Sequence, residues 1–287
     1  MTHVTRRMDE MTSREVQRYF DAGGDLVFVP FGPVSGHGAF IPMGMHGHWA
    51  QALSVLLAER ANGLVYPVIH TVYSGATRAF RGSVSFPITE QVSILKRVAK
   101  TLHDQGFRRT VLVAGTQPEC YGGATAAREL FDETDVPFWM IEAVRLLALP
   151  EVKVLWKDYP APFGETQLEM AALRILGRER PVPCADWAKE LKTDDDGDLP
   201  DDVHDDVVNL RTLGTVGWYY VEEKNHGNHG TVGMPHGDGT DIDLAVRVLE
   251  KCADVLAPAL ESLERYATWL EEHPFQYIVP TDRLEEE

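Results

Sequence analysis

Apolar segments typical of β-strands alternate with amphipathic segments typical of helices through the first half of the chain. Strand-like runs cover residues 26–30, 64–69, 84–86, 110–114 and 137–141, and helical spacing of apolar residues covers 49–61, 89–106 and 124–133. Such alternation is typical of crossover units on a parallel sheet. The sequence therefore predicts an α/β fold with a mostly parallel central sheet flanked by helices.

The second half of the chain is less regular. Residues 241–269 have the spacing of a long amphipathic helix, and eight of the thirteen residues from 194 to 206 are Asp. Their spacing does not match the D-x-[DN]-x-[DN]-G calcium loop, so a solvated loop is the preferred interpretation over a calcium site. We expect residues 1–287 to form a single domain with an acidic insertion loop around 190–210.

The charge and cysteine content exclude several classes of partner and compartment. The formal net charge of −17 would repel nucleic acid. No apolar run approaches the roughly 20 residues of a membrane span, and the charged N-terminus does not resemble a secretory signal. The three cysteines form no CxxC pair, which is typical of a reducing compartment. We expect a cytoplasmic protein with a small-molecule substrate and no nucleic-acid or membrane partner.

A glycine-rich segment with two histidines follows the first strand-like run. His37 and His46 lie in it, and His48 comes just beyond. Loops at the carboxyl ends of strands commonly carry the chemistry of α/β enzymes, and neutral imidazole is a common ligand of zinc, iron or manganese. The same histidines could instead donate hydrogen bonds that stabilise a tight loop.

This segment resembles the signature of the creatininase (creatinine amidohydrolase) family. There, Gly-x-x-Glu-x-His-Gly is followed by Leu-Pro-x-Gly-x-Asp, and both parts supply ligands to two metal ions. The resemblance matches the loop glutamate with Ser35, the following histidine with His37 and the bridging aspartate with His46. It implies a layered creatininase-like fold, commonly in a cyclic or hexameric homo-oligomer, with an altered metal centre.

Two further segments extend the resemblance. Residues 114–116 resemble an Asn-Gly-His loop in which the ligand histidine becomes Thr116; Gln117 follows, and Glu119 is the nearest acid that could replace a lost ligand. Residues 155–167 resemble a stretch ending in Glu-Thr-Ser. Within it, Trp156 matches an aromatic residue that walls the substrate pocket, and Tyr159 takes the place of an acid ligand.

Two basic segments could contact the substrate. Arg78 and Arg81 lie in a loop that resembles a substrate-side family loop, and an arginine fork there would suit a carboxylate, phosphate or polyhydroxylated substrate. An ion pair with a nearby acid is the alternative. His226 and His229 precede a Gly-x-x-Gly-x-Pro loop and could serve as ligands or as acid and base, or belong to a solvent-exposed loop with no role.

The resemblance and these residues together predict a divergent hydrolase that opens a small cyclic or amide-containing substrate with a water activated by a divalent metal ion (Zn, Mn or Fe). A cyclic diketone related to an inositol-derived inosose is one such substrate. The predicted residues fall into three groups: catalytic His37, His46, Glu119 and His229; metal-binding His37, His46, Glu119 and Asp158; and substrate-binding Ser35, Arg78, Thr116, Gln117, Trp156, Tyr159 and His226.

Three alternatives stay open at this point. A histidine could act as a general base without metal, as in an isomerase or lyase. Ser35 or Cys120 could be a nucleophile, although no GxSxG elbow surrounds the serine. The chain could also be a catalytically inactive family member that serves as a binding subunit.

Overall fold

A parallel sheet of four strands forms the centre of the structure, a computed structural model that describes residues 5–37, 41–75, 81–115, 117–158, 164–180, 241–274 and 276. The strands are β1 (Leu26–Phe31), β2 (Leu64–Val65), β3 (Arg109–Ala114) and β4 (Trp139–Glu142), in the order β2-β1-β3-β4. All three pairings are parallel. The predicted α/β fold with a mostly parallel sheet is confirmed.

Helices cover both faces of this sheet. In the described ranges they are α1 (Ser13–Asp21), α2 (Met45–Ala61), α3 (Ile88–Asp104), α4 (Gln117–Thr134), α5 (Ala143–Leu146), α6 (Pro150–Lys153), α7 (Glu165–Ile175) and α8 (Ile242–Glu272). Residues of α2, α7 and α8 pack on one face, and residues of α1, α3 and α4 pack on the other.

Because both faces are covered, β1 is apolar along its whole length rather than at alternate positions. Leu26 and Phe28 enter the cluster with α2, α7 and α8, whereas Val27, Val29 and Phe31 enter the cluster with α1, α3 and α4. All six residues of β1 are buried. Because β1 and β3 are parallel, their carboxyl ends lie at the same edge of this buried core.

Two of the strand predictions were wrong in part. Residues 84–86 form no strand, because the backbone N–H groups of Val84 and Phe86 donate to loop carbonyls of Val34 and Val72. The predicted strand 64–69 is reduced to Leu64–Val65, with a single bridge at residue 69. A proline at position 67 has no N–H to continue the ladder.

Two helices begin several residues earlier than predicted, and this places site residues on helices rather than in loops. Helix α2 begins at residue 45 instead of 49, and α4 begins at 117 instead of 124. Glycines that suggested loops serve close packing instead. A Cβ at Gly47 would lie 2.5 Å from Cε1 of His70, and one at Gly123 would lie 2.7 Å from Cζ of Phe31.

The remaining predictions divide between confirmed and missed helices. Helix α8 confirms the predicted helix at 241–269, with the side chain of Asp241 accepting from the backbone of Leu244. Helices α1, α5, α6 and α7 were not predicted. The acidic stretch 194–206 lies outside the described residues, so the single domain with its insertion stays a prediction. In the part of the chain that is described, no helix is both long and apolar enough to cross a membrane.

Candidate active site

The candidate site lies where helices begin at the carboxyl edge of the sheet. His46 is in the first turn of α2, Glu119 is in the first turn of α4, and Glu165 is the first residue of α7. The amino ends of helices carry partial positive charge and stabilise carboxylates. Three helix starts therefore place one imidazole and two carboxylates at this edge.

Two imidazoles from separate elements meet at this edge. The ring centroids of His37 and His46 are 4.5 Å apart, with an angle of 50° between the planes. Each residue is only 4% exposed. His37 comes from the loop after β1 and His46 from α2, so the fold brings together two residues that were predicted from the sequence to be in the site.

His46 is paired with a fully buried carboxylate. Its Nδ1 lies 3.3 Å from Oε1 of Glu119, and the side chain of Glu119 is 0% exposed. Burial lowers the pKa of His46, but the charge and hydrogen bond of Glu119, together with Glu165 and Glu169, outweigh burial and raise that pKa above its usual value. The pair thus favours a protonated imidazole in a dry environment.

The neighbouring His37 has the opposite tendency. Its Nε2 is 3.1 Å from Oγ of Ser35, which is completely buried. Its Nδ1 is 3.7 Å from Oε2 of Glu165, too far for a direct hydrogen bond, and has no hydrogen-bond partner among the described residues. Burial is the main cause of a pKa for His37 below its usual value. The environments therefore push the two adjacent histidines toward different protonation states.

A third histidine and carboxylate lie beside this centre. Nδ1 of His48 is 2.7 Å from Oε1 of Glu169, whose side chain is completely buried. Burial raises the pKa of Glu169. His70 is nearby, with its Nδ1 donating to the carbonyl of Gly32 at 2.8 Å.

The other sequence-predicted residues lie in several different settings. Trp156 is partly buried against the apolar cluster that includes α2, α7 and α8. Asp158 lies at the surface with its side chain 88% exposed, 3.9 Å from Lys157, and is not among the buried acids around His46. Gln117 begins α4, but its side chain lies outside the described part, as do Arg78, Thr116, Tyr159, His226 and His229. Their roles stay predictions.

Cys120 is buried, and burial raises the pKa of its thiol well above the usual range. A thiol with a raised pKa is a poor source of the thiolate that nucleophilic catalysis needs. The site therefore offers no support for the cysteine mechanism.

Sequence reasoning missed the acids of α7. Glu165 was noted only as a position that matches the family, and Glu169 was not singled out. The signal that could have found them is their spacing, since residues four apart share one face of a helix. Reading residues 165–175 as a helix would have directed both carboxylates toward the same side.

The donor types around His46 fit a divalent cation. Two imidazoles with Glu119 and Glu165 are ligands that zinc and manganese accept, and Nδ1 of His37 is a buried donor atom with no hydrogen-bond partner among the described residues. Over the described ranges, however, no three His, Cys, Asp or Glu residues are grouped so that they could hold a metal ion. The described side chains therefore supply suitable donors without a complete coordination shell.

The family model for creatininase, creatinine amidohydrolase, matches residues 9–204. The chain belongs to the creatininase family. This family is hydrolytic, and its match contains the loop with His37 as well as the starts of α2, α4 and α7. The resemblance seen in the sequence is confirmed. Among curated proteins, the comparison gives no match.

Solved creatininases share this fold at low sequence identity. A Zn-Zn form of a mutant creatininase is 20% identical with a TM-score of 0.61, covering 95% of this chain and 100% of that one. A manganese form of creatininase has 20% identity and a TM-score of 0.60 over the same shares. A Bacteroides fragilis protein named after creatinine amidohydrolase has 15% identity and a TM-score of 0.64, covering 92% of this chain and 97% of that one.

Proposed function

We propose that this creatininase-family protein is a hydrolase that opens a small cyclic, polar substrate at the site formed by His37, His46, Glu119 and Glu165. The observation that carries the proposal is the pairing of His46 with the completely buried Glu119, directly beside the ring of His37. A buried carboxylate is costly unless its charge is used or paired. Buried titratable pairs at the edge of a parallel sheet are typical of active sites.

The reaction adds water to a carbonyl carbon. The water oxygen forms a bond to that carbon, and the bond from the carbon to the ring nitrogen of a cyclic amide, or to the ring carbon between two carbonyls of a cyclic diketone, breaks. One proton of the water moves to the leaving nitrogen or carbon, and the product has a new carboxylate. Atoms and electrons balance without an oxidant or reductant.

The residues of the site have different roles in this hydrolysis. Glu165 accepts the proton of the attacking water, because it is a half-buried carboxylate that lies 3.7 Å from His37 at this edge of the sheet. His37, His46 and Glu119 offer donor atoms of the types that zinc, manganese or iron accept, and a metal ion there would need further ligands from outside the described residues. When bound, such a cation lowers the pKa of water to about 7 and polarises a carbonyl.

The finer parts of the proposal concern the substrate and the assembly. A polyhydroxylated cyclic ketone, such as a diketone related to an inosose, is the preferred substrate class because the site is polar and partly acidic. Substrate contacts from Arg78 and Trp156, a cytoplasmic location and a homo-oligomeric assembly belong to the same proposal. Sedimentation of the full chain tests the assembly.

A second candidate is hydrolysis without metal, through Ser35 as nucleophile. Ser35 Oγ lies 3.1 Å from Nε2 of His37, and Nδ1 of His37 lies 3.7 Å from Oε2 of Glu165. This is the order of groups in a serine triad, with a histidine-to-acid distance longer than a hydrogen bond. Ser35 Oγ would attack the carbonyl, and His37 would pass the serine proton to the leaving group. Water would then hydrolyse the acyl-serine and regenerate the hydroxyl.

The two candidates are separated by elemental analysis, mass spectrometry and assay of protein purified without chelator. Hydrolysis of a cyclic amide or a polyhydroxylated cyclic ketone, with stoichiometric metal and an active Ser35→Ala variant, supports the first. An acyl adduct on Ser35 in metal-free active protein supports the second. Failure of the protein to hydrolyse any member of such a substrate panel would contradict both and favour a binding subunit.

A further inference from the structure

The pair formed by His48 and Glu169 is the shortest of the histidine-carboxylate contacts at this edge of the sheet, yet the proposed reaction leaves it unused. Nδ1 of His48 lies 2.7 Å from Oε1 of Glu169, whereas the contacts of His46 and His37 with their acids are 3.3 and 3.7 Å. An ionised carboxylate only accepts hydrogen bonds, so Nδ1 of His48 donates. In the neutral ring, the lone pair is then on Nε2.

Nε2 of His48 is available to a ligand. It makes no hydrogen bond to any residue in the described ranges, and the His48 side chain retains 19% exposure beside a completely buried Glu169. Gly44 keeps this edge of the ring open, because a Cβ at that position would lie 2.9 Å from both Nε2 and Cε1 of His48. A larger residue at the start of α2 would press on the atom that carries the lone pair.

A structural role alone does not account for this pair. Oε2 of Glu169 is buried and has no hydrogen-bond partner in the described part of the chain. A half-satisfied buried carboxylate is destabilising relative to an apolar residue of similar size. A buried polar atom without a hydrogen bond is expected where a residue serves function rather than folding.

His70 presents a second ring nitrogen of the same kind nearby. Its Nδ1 donates to the carbonyl of Gly32 at 2.8 Å, which again directs the lone pair of the neutral ring to Nε2. Cε1 of His70 lies 2.5 Å from the position of a Cβ on Gly47, the residue between His46 and His48. His70 therefore packs against the first turn of α2, which is the turn that also carries His48.

We propose that Nε2 of His48 and Nε2 of His70 form a subsite that accepts hydrogen bonds from hydroxyl groups of a polyhydroxylated substrate. Glu169 and the Gly32 carbonyl are positioning groups that fix both rings with their acceptors outward. The subsite adjoins the reaction centre because Glu169, the partner of His48, is also close enough to His46 to act on its charge. The inference rests on the proposed function, in which the substrate has a reacting carbonyl group. It adds that the rest of the substrate carries several hydroxyl groups.

The test is side-chain ¹⁵N NMR of the full chain labelled at histidine, with myo-inositol as a hydroxyl-rich probe and cyclohexanol as a probe with one hydroxyl group. We expect the Nε2 resonances of His48 and His70 to shift with myo-inositol and to stay in place with cyclohexanol at the same concentration. The His48→Asn variant keeps a donor for Glu169 and loses the acceptor at Nε2. It should bind myo-inositol about five- to tenfold more weakly, the loss expected for one hydrogen bond.

Two controls accompany the measurement. His103→Asn, on α3 and outside the site, should bind myo-inositol as the unaltered protein does. If His48→Asn fails to fold, His70→Asn and the resonances of the unaltered protein carry the test. Unshifted resonances at both histidines, or unchanged affinity of a folded His48→Asn variant, would overturn the subsite.

Hydrolysis is measured separately, so that the two proposals can fail separately. Hydrolysis of a cyclic substrate with no response at His48 or His70 would leave the proposed function and remove the subsite. Shifts at both rings with no hydrolysis of any panel member would keep the subsite and remove the proposed reaction.

Discussion

The two edges of the sheet both carry charged pairs, but the pairs differ in kind. At the amino edge, Arg109 donates to Asp25 at 2.5 and 2.8 Å, and Arg60 donates to Asp254 at 2.6 Å. At the carboxyl edge, His46 and His48 face buried glutamates, and Nδ1 of His37 and Oε2 of Glu169 have no hydrogen-bond partner among the described residues. Arginine stays charged at any physiological pH, whereas histidine changes its charge near neutrality. The satisfied edge suits structure, and the titratable edge suits proton transfer.

A cleft at the amino edge of the sheet is a competing position for the functional site. A cleft of 530 Å³ opens at the amino edge, lined in part by Arg60, Asn62, Arg109 and Glu264. Its guanidinium groups already bond carboxylates of the chain. A ligand there would have to displace those partners, so we assign the chemistry to the histidines at the opposite edge.

The largest expected effect concerns activity at the carboxyl edge. Glu119→Gln keeps the volume of the side chain but removes the charge beside His46, and we expect kcat/KM for the substrate that the protein hydrolyses to fall by about 10² to 10⁴. The matched control is Glu129→Gln, which alters an exposed acid of the same helix that pairs with Lys96. Activity of Glu119→Gln within twofold of the unaltered protein would contradict the site.

The next effect concerns stability at the amino edge. Arg109→Met removes the two guanidinium nitrogens that donate to Oδ1 of Asp25, in a partly buried position where the two side chains are 14% and 18% exposed. We expect a loss of about 2–3 kcal/mol in the free energy of unfolding, somewhat below the loss for a fully buried pair. Urea unfolding measures it. Because this edge has no part in the chemistry, kcat should be unchanged in the folded protein. A large fall in kcat would contradict the assignment of a purely structural role to the amino edge.

The pH dependence of stability should be a further difference between the two edges. The pKa of His46 is raised in the folded protein, so its contribution to stability is fully present below its unfolded pKa of about 6.5 and is lost as pH rises through the folded pKa. In Glu119→Gln, burial dominates and the pKa of His46 falls. NMR titration of His46 in both proteins measures this, and an unchanged or higher pKa in the variant would show that Glu119 is not the cause.

The smallest effect is expected at an exposed ion pair. Arg60→Gln removes the contact with Asp254, whose side chain is 54% exposed. We expect a loss of roughly 0.5 kcal/mol in the free energy of unfolding, as is usual for surface pairs. A loss above 2 kcal/mol by urea unfolding would mean that Arg60 has a larger structural role at this edge.

The strands of the core could be predicted from the sequence because their apolar runs are continuous. Strand β3 extends the predicted run 110–114 by one residue, and β1 extends the run 26–30 by one. The starts of α2 and α4 could not be predicted, because Gly47 and Gly123 suggest loops until their close neighbours are known. Long-range packing, rather than local propensity, determines these helix starts.

The site was predicted less completely than the fold. His37, His46 and Glu119 were named from the sequence, and the structure brings them together. Glu165 and Glu169 join them only because α7 packs against α2, a contact between positions more than a hundred residues apart. The four-residue spacing within α7 places both acids on one face, but it does not identify α2 as the helix that α7 contacts.

The most direct test of the proposed chemistry is incorporation of ¹⁸O from labelled water into product. The unaltered protein and Glu119→Gln are each incubated with a panel of cyclic amides and polyhydroxylated cyclic ketones, and the products are weighed by mass spectrometry. We predict one ¹⁸O atom in the new carboxylate for each turnover of the unaltered protein, and product formation reduced at least a hundredfold in the variant. Product without ¹⁸O, or equal turnover by both proteins, would contradict hydrolysis at the His46 and Glu119 pair.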